Sequence, residues 1–465
     1  MNLLIERHPF VLPEKLFLAL KDRRYFIWLD TVLKNRDNRY SVIAFEPFLI
    51  FRSKKDRITI ETENNKKAYS GSPFDYLEEL LKKYSFQCST FFSPGAFGYF
   101  SYDLGWQIEK LPDIAKDDLG IPDICLGFYD TVLVIDHKEP SLYIISANLQ
   151  REKEKLFRDL FVAKNNLIKK ISKNSYKIEN SPVEIKNVFS NMSYDGYVKA
   201  IERIKDYIAS GDVYQINFAQ RIEAEGIFPP ETIYRRIRKV NPTSFSGYFN
   251  GGDFYLLSNS PELFLKKEGM NVFTKPMKGT RPRGKTKEED DRYRKELLNS
   301  IKDKAELLMI VDMERNDLGK VCRYGSVSVK TLRQIERYRT VFQATSLIEG
   351  VMEKNKSVVD LLKATFPGGS ITGAPKVRAM EIIEALEPHK RAFYTGSMGY
   401  IGFNGNAELN ILIRTILLKE DKLYYPVGGG IVWDSSPSSE YEETLTKAKA
   451  LFLTLGGDYE DILHT

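Results

Sequence analysis

Apolar and polar positions alternate over short stretches up to about residue 145, in RYSVIAFEPFLIFRS, DRITIETE, GAFGYFSYDLG and LGFYDTVLVIDHKEPSLYIISA. A period of two, or a short β-branched run closed by Gly, Pro or Asn, predicts strands. Residues 1–150 are therefore expected to be sheet-rich. Residues 151–190 open with a charged stretch of helical character and end in KNSYKIENSPVEIKN, whose Asn, Ser and Pro predict a loop or linker. Residues 191–465 form the second sequence module.

That module starts with SYDGYVKAIERIKDYIASGD, where Tyr197, Ile201, Ile204 and Ile208 share one helical face. Ser193 or Asp195 is its expected N-cap and Gly211 its stop. VYQINFAQRIEAE and FYLLSNSPELFLKKEGMNVFTKPMKGT predict strands, DDRYRKELLNSIKDKAELLMIVDMERNDLG one long helix, and Thr444 to Leu455 another. Strands and helices follow in mixed order without a βαβ series or an internal repeat, which predicts the α+β class.

Composition narrows the function classes. The 465 residues are 42% hydrophobic, 12% aromatic and 28% charged, as in an ordinary globular protein with a sizeable core. A membrane helix needs about eighteen apolar residues in a row, and no such run occurs. The opening MNLLIERHPFVLPE places Glu6, Arg7 and Pro9 where a secretory leader keeps its apolar stretch, so a cytoplasmic location is expected. Cys88, Cys125 and Cys322 are widely spaced and unaccompanied by a CxxC, so neither a disulfide framework nor a thiolate metal site is indicated. The formal charge of +6 is spread through segments such as REKEKLFRD and KTKEEDDRYRKE, a solvated-face pattern that does not point to nucleic acid.

Three clusters carry candidate chemistry. In PMKGTRPRG, Lys278 precedes Gly279, where backbone approaches a ligand closely. A turn lysine in solvent is the plain alternative. As a nucleophile Lys278 would have to shed its proton at a cost of roughly 4 to 5 kcal/mol at neutral pH. Burial and neighbouring cations supply that, with Arg281 and Arg283 as candidates and Lys275 expected on the opposite strand face.

Asp303 and Glu306 are spaced i,i+3 on a predicted helix, and Glu440 and Glu443 repeat the spacing. Each pair alone is commonly a solvated face. Together they offer Mg²⁺ a carboxylate from each of two elements, with open positions for water and an anionic substrate. His8, His137, His389 and His464 lack ligand spacing, which argues against zinc. In FPGGSITGAPK, Ala374 and Pro375 stand where a phosphate-binding loop needs its Lys and hydroxyl, so nucleotide binding is rejected. Gly428 to Gly430 carry no dinucleotide fingerprint and are expected to present backbone N–H groups to a carboxylate.

Read in order, SNSPE, KPMKGTRPRG, KAELLMIVDMERNDLGKV, FPGGSITGAPKVRAMEIIEALEP, YTGSMGYIG, NILIRT and GGGIVWDSSPSSEYEETLTKA resemble the chorismate-utilising enzyme family from residue 193 to about 450. RYSVIAFEP and GYFSYDLG resemble that family's N-terminal region. The resemblance implies the anthranilate synthase component I-like fold, two large antiparallel sheets packed face to face with flanking helices, built from both modules. It implies Mg²⁺ on Glu306 and Glu443, with Asp303 and Glu440 assisting through water. Tyr394, Arg414, the Gly428 backbone and Lys447 then grip the substrate carboxylates, and Thr372 and Gln215 complete the binding site. Glu262 of the SPE motif becomes the acid that assists loss of the C4 hydroxyl, its alternative being a strand-end acid paired with Lys266 or Lys267.

Within the family, isochorismate and salicylate synthases place a base lysine where Gln215 stands, and anthranilate synthases usually place Ala where Lys278 stands. A lysine there resembles the aminodeoxychorismate synthases, which attack C2 covalently so that ammonia enters at C4 on the route to p-aminobenzoate and folate. Anthranilate synthase chemistry is the nearest rival, and a silent sensor of chorismate or tryptophan is a rival of another class. Gln343 replaces a His found in many relatives, and no clear tryptophan-feedback motif is present. No glutaminase is recognisable in the sequence, so ammonia is expected from a separate glutamine amidotransferase subunit or from free ammonium.

Overall fold

The computed structural model describes residues 3–32, 39–88, 90–149, 154–174, 176, 181–338 and 341–456. His464 and residues 177–180 of the expected linker lie outside them. Among the described residues, two twelve-stranded antiparallel sheets account for the strands, and each draws from both sequence modules. The first runs, by residue numbers, 3–9, 141–147, 131–136, 40–44, 27–30, 245–250, 255–260, 415–419, 422–431, 215–227 and 184–190, with 373–374 paired to 215–227. The second runs 277–282, 341–351, 271–275, 263–268, 407–410, 397–402, 95–100, 124–129, 49–54, 57–62 and 65–70, with 328–337 paired to 341–351.

The sheets pack on each other through a core that mixes Ile27, Val42 and Leu256 of the first with Ile50, Phe97 and Tyr99 of the second. Burying such a side chain contributes about 1.5–3 kcal/mol, and this contact covers the inner face of both sheets. Helices close the outer faces. Pro13–Leu20, Pro230–Val240 and Pro437–Leu455 cover the first sheet, while Pro73–Tyr84, Ile301–Gly319 and Val358–Thr365 cover the second.

The helix Tyr194–Ala209 buries Tyr197, Ala200, Ile201 and Ile204, and Ser193 is its cap, accepting the Gly196 N–H at 3.1 Å. Gly211 follows with φ +79°, beyond the last helical residue. Three expectations are corrected. Residues 184–190 of the expected linker form an edge strand, paired with the 215–227 strand. The helix expected from Thr444 begins at Pro437, where a proline is tolerated because the first-turn N–H groups lack partners in any case. The single long helix is two, Lys287–Asn299 and Ile301–Gly319. Ser300 takes extended backbone, and its hydroxyl accepts the Asp303 N–H at 3.2 Å, capping the second helix.

Candidate active site

Where the 277–282 strand, the two acid-bearing helices and the 422–431 strand meet, a cavity of about 740 Å³ opens. It is lined by Glu262, Lys278, Asp303, Glu306, Tyr394, Arg414, Gly428, Glu440, Glu443 and Lys447 among others. Residues far apart in the chain, from both sheets and two helices, thus face one space.

Lys278 owes its position to a bulge. It pairs with Ala344 and Thr280 pairs with Gln343, so Gly279 is an extra residue in the ladder. Gly279 has φ +80°, and a Cβ there would lie 2.8 Å from Leu297 Cδ1 and 2.9 Å from Asp303 Cγ. Only glycine fits both demands. Burial pushes the Lys278 ammonium below its ordinary pKa; Glu306, Glu262 and Glu443 oppose the shift and Lys447 supports it. The nearby cation is therefore Lys447 and not the expected arginines. Arg281 pairs with Asp303 at 2.9 Å, and Arg283 pairs with Asp290 at 2.7 Å. Lys275 pairs with Glu336.

Glu262 is 4% exposed. Burial raises its pKa, while the Ser370 hydroxyl, Lys278, the Met277 N–H and Arg414 favour the anion. Neither expected alternative partner is used: Lys266 lies by Glu268 and Glu408, and Lys267 bonds the Gly269 and Gly405 carbonyls.

The carboxylate pairs come from the starts of two helices. Burial raises Glu306, partly offset by Lys278 and Lys302, and burial also raises Glu440, whose Oε1 accepts the Ser435 hydroxyl at 2.6 Å. Burial would raise Glu443 as well, but Lys447 at 2.7 Å outweighs it and the pKa falls below its ordinary value. Among the described residues no three acidic, His or Cys side chains converge into a ready-made metal cage. The donor set is oxygen only and faces the cavity from two helices. That fits a hard cation held by one or two carboxylates and completed by water and substrate oxygens.

The triple glycine is the floor of the site. Gly428, Gly429 and Gly430 lie in a strand paired with Ala219, Phe218 and Asn217, with Gly429 buried and Gly428 and Gly430 partly exposed. A Cβ on Gly428 would stand 2.9 Å from the Tyr394 hydroxyl; on Gly429, 3.3 Å from Glu440 Oε2 and 3.7 Å from Glu443 Oε1; on Gly430, 2.4 Å from Gln215 Nε2 and 3.6 Å from Lys278 Nζ. Three absent side chains leave room beside the tyrosine, the acids and the lysine in turn. The Gly428 carbonyl accepts from Lys447 at 2.7 Å.

Two expected binding residues sit behind the wall. Thr372 is fully buried, its hydroxyl donating to the Gly368 and Gly369 carbonyls at 3.1 and 3.3 Å. Gln215 is 1% exposed, and its Oε1 has no hydrogen-bond partner. Gln343 lines the cavity. Sequence reasoning missed Asn217, Lys302, Ser370 and Ile371, which also line it. Asn217 could have been found from Gln215, two positions earlier on the same strand face.

The family model for chorismate binding enzymes matches residues 29–453. The chain belongs to the family of chorismate binding enzymes. It is 38% identical over 425 residues to anthranilate synthase component 1 of Acetivibrio thermocellus, covering 89% of this chain and 86% of that one. It is 37% identical over 434 residues to aminodeoxychorismate synthase component 1 of Bacillus subtilis, covering 93% and 92%. Among solved structures, anthranilate synthase component I of Streptococcus pneumoniae superposes with a TM-score of 0.80 at 28% identity, covering 96% and 98%. The expected fold, two large antiparallel sheets with flanking helices, is the one found.

Proposed function

We propose that this chorismate-family enzyme is the aminating component of an aminodeoxychorismate synthase, replacing the C4 hydroxyl of chorismate with an amino group. The observation that carries this reading is Lys278, which enters the cavity with its ammonium disfavoured by burial and with Glu262 among the groups acting on it. Relatives bearing either component 1 name match at 38% and 37% identity, so overall likeness does not choose between them, and Lys278 is what supports the aminodeoxychorismate reading.

In the proposed cycle the free Lys278 amine forms a bond to C2, the two conjugated ring double bonds shift round to C1=C6 and C4=C5, and the C4–O bond breaks. Glu262, favoured in its protonated form by burial, gives its proton to the departing oxygen, and water leaves. Ammonia then bonds to C4, both double bonds shift back, and the C2–Nζ bond breaks. The ammonia proton released restores the acid. Chorismate and ammonia give 4-amino-4-deoxychorismate and water. Arg414, Tyr394 and Lys447 hold the substrate carboxylates, with the Gly428 backbone beside them. Glu306 and Glu443 would hold Mg²⁺, assisted by Asp303 and Glu440, and the ion supplies Lewis-acid polarisation of the ring carboxylate. The ammonia source is a glutamine amidotransferase partner, in keeping with the component 1 names of the relatives.

The test is a product assay with chorismate, Mg²⁺ and excess ammonium, with and without an added aminodeoxychorismate lyase. Product that yields p-aminobenzoate only with the lyase is the expected result. Anthranilate formed without it would overturn the reading in favour of tryptophan synthesis.

A further inference from the structure

One buried cation takes no part in the cycle above. Arg391 is 5% exposed, and its guanidinium reaches three segments that build the cavity wall. It donates to the Glu387 carboxylate at 2.9 and 2.6 Å, to the Asn217 carbonyl at 2.5 Å, to the Ile371 carbonyl at 3.0 Å and to the Thr395 hydroxyl at 3.4 Å. Glu387 also accepts the Ala219 N–H at 3.0 Å. The Asn217 amide donates to the Ile371 carbonyl at 3.1 Å. The guanidinium lies over the Tyr102 and Tyr394 rings, 4.8 and 5.7 Å from their centroids.

A buried ion pair is a poor way to gain stability, since apolar side chains of similar volume commonly do as well or better. Its specific advantage is geometric: a rigid planar fork fixes several acceptors at once. The backbone around it needs such fixing. Ala392 and Thr395 hold φ of +49° and +58°, sparsely populated for residues with a Cβ, on either side of Tyr394. The N-terminal module grips the same segment from behind. The Ser101 hydroxyl and the Tyr102 N–H donate to the Ala392 carbonyl at 2.7 and 2.8 Å, and Asp103 Oδ2 accepts the Ala392 N–H at 3.1 Å.

We propose that Arg391 is a positioning residue: clamped by Glu387 and stacked on Tyr102, it holds Asn217, Ile371 and Tyr394 as one wall against which chorismate binds. This rests on chorismate being the ligand of the cavity, and not on which carbon is aminated. It also gives the N-terminal module a part in the site to which it contributes no reacting group.

The test is direct chorismate binding by calorimetry on the full chain, well below the melting temperature, in magnesium-containing buffer. The variants are Arg391→Lys, Glu387→Gln, Tyr394→Phe and the double variant Arg391→Lys/Tyr394→Phe, each with its melting temperature. Arg391→Lys is expected to weaken binding about tenfold or more, because lysine offers one point charge in place of the fork. Glu387→Gln should weaken it less, and Tyr394→Phe should cost little once Arg391 is replaced, since the two act as a unit. A lower melting temperature with binding within about twofold of wild type, or losses that simply add, would overturn the proposal. Should Arg391→Lys fail to fold, Glu387→Gln decides by the same criterion. A wild-type chain that binds chorismate but yields no aminated product sinks the proposed function and leaves this inference standing; one that binds no chorismate sinks both.

Discussion

In the proposed cycle Lys278 attacks only as the free amine, and its surroundings act in opposite directions on that form. Burial and Lys447 favour it, whereas Glu306, Glu262 and Glu443 favour the ammonium, and burial is the largest influence. The sign follows: amination should rise with pH as Lys278 loses its proton, through a midpoint below the ordinary lysine value of 10.5. A profile of kcat/KM for amination against pH checks this, and a midpoint at or above the ordinary value would refute it. Lys278→Ala should lower amination by about 10²-fold or more while leaving chorismate binding within a few-fold, because a nucleophile contributes to the reacting state and not to the grip. Undiminished turnover in that variant would exclude the covalent route. Lys278 and both acid pairs stood out in the sequence because their residue types and spacing imply chemistry, and Glu262 because its SPE motif resembles the family's. Their partners did not. Arg281 lies close to Lys278 in the chain yet is occupied by Asp303, while Lys447, 169 positions further on (447 − 278), is the cation that counts. Chain proximity is a poor guide to electrostatic proximity once strands from distant segments are joined.

The elements that present these side chains depend on two local devices, one glycine and one serine. Gly279 makes the bulge that sets Lys278, and its positive φ leaves little tolerance for a side chain. Gly279→Ala is expected to cost on the order of 1–3 kcal/mol from backbone strain, plus a clash with Leu297 and Asp303. Because the strain falls on the bulge, amination should drop further than stability accounts for, which a thermal melt read beside a kcat measurement will show. A loss of stability with unchanged kcat would mean that the bulge does not aim the lysine. Ser300 does for a helix what Gly279 does for a strand. Its cap fixes where the 301–319 helix begins and so where Asp303 and Glu306 face. Ser300→Ala should cost about 1 kcal/mol, seen as a lower denaturant midpoint. The cap was legible as Ser-x-x-Asp within the helical pattern, but the apolar spacing on both sides masked it. Gly430 shows a third limit of sequence reading. Its φ is unremarkable for a strand, so the constraint is a neighbour: Gln215 Nε2, 2.4 Å from where a Cβ would stand, would have to shift, and it belongs to a residue 215 positions away in the chain (430 − 215).

At the scale of the molecule, alternation revealed strands in both modules without revealing how they interleave, since pairing such as 245–250 with 27–30 depends on contacts that span the chain. The same interleaving buries carboxylates in a largely apolar interior. Asp103 is pushed up to about 7, first by burial and next by Asp123, with Lys54 and Lys390 pulling it down. Glu314 is pushed up to about 8, again chiefly by burial, and accepts the Thr274 hydroxyl at 2.8 Å. A carboxyl with a raised folded-state pKa binds more protons when folded than when unfolded between the two pKa values. Stability is therefore greatest below the unfolded value and falls as pH rises through the folded one. For Asp103 that window runs from the ordinary 3.8 to about 7, and the full shift corresponds to at most about 4 kcal/mol. Asn at this position cannot ionise and keeps an oxygen to accept the Ala392 N–H. Asp103→Asn should accordingly match or fall slightly below wild type at pH 4 and gain on it steadily to pH 7. Above that the difference should be level, because both states of wild type are then ionised. Glu314→Gln should behave alike with its plateau displaced upward to about pH 8. Chemical denaturation at a series of pH values measures both curves, and a difference that shrinks with rising pH would show that these carboxyls are ionised and paired in the folded chain.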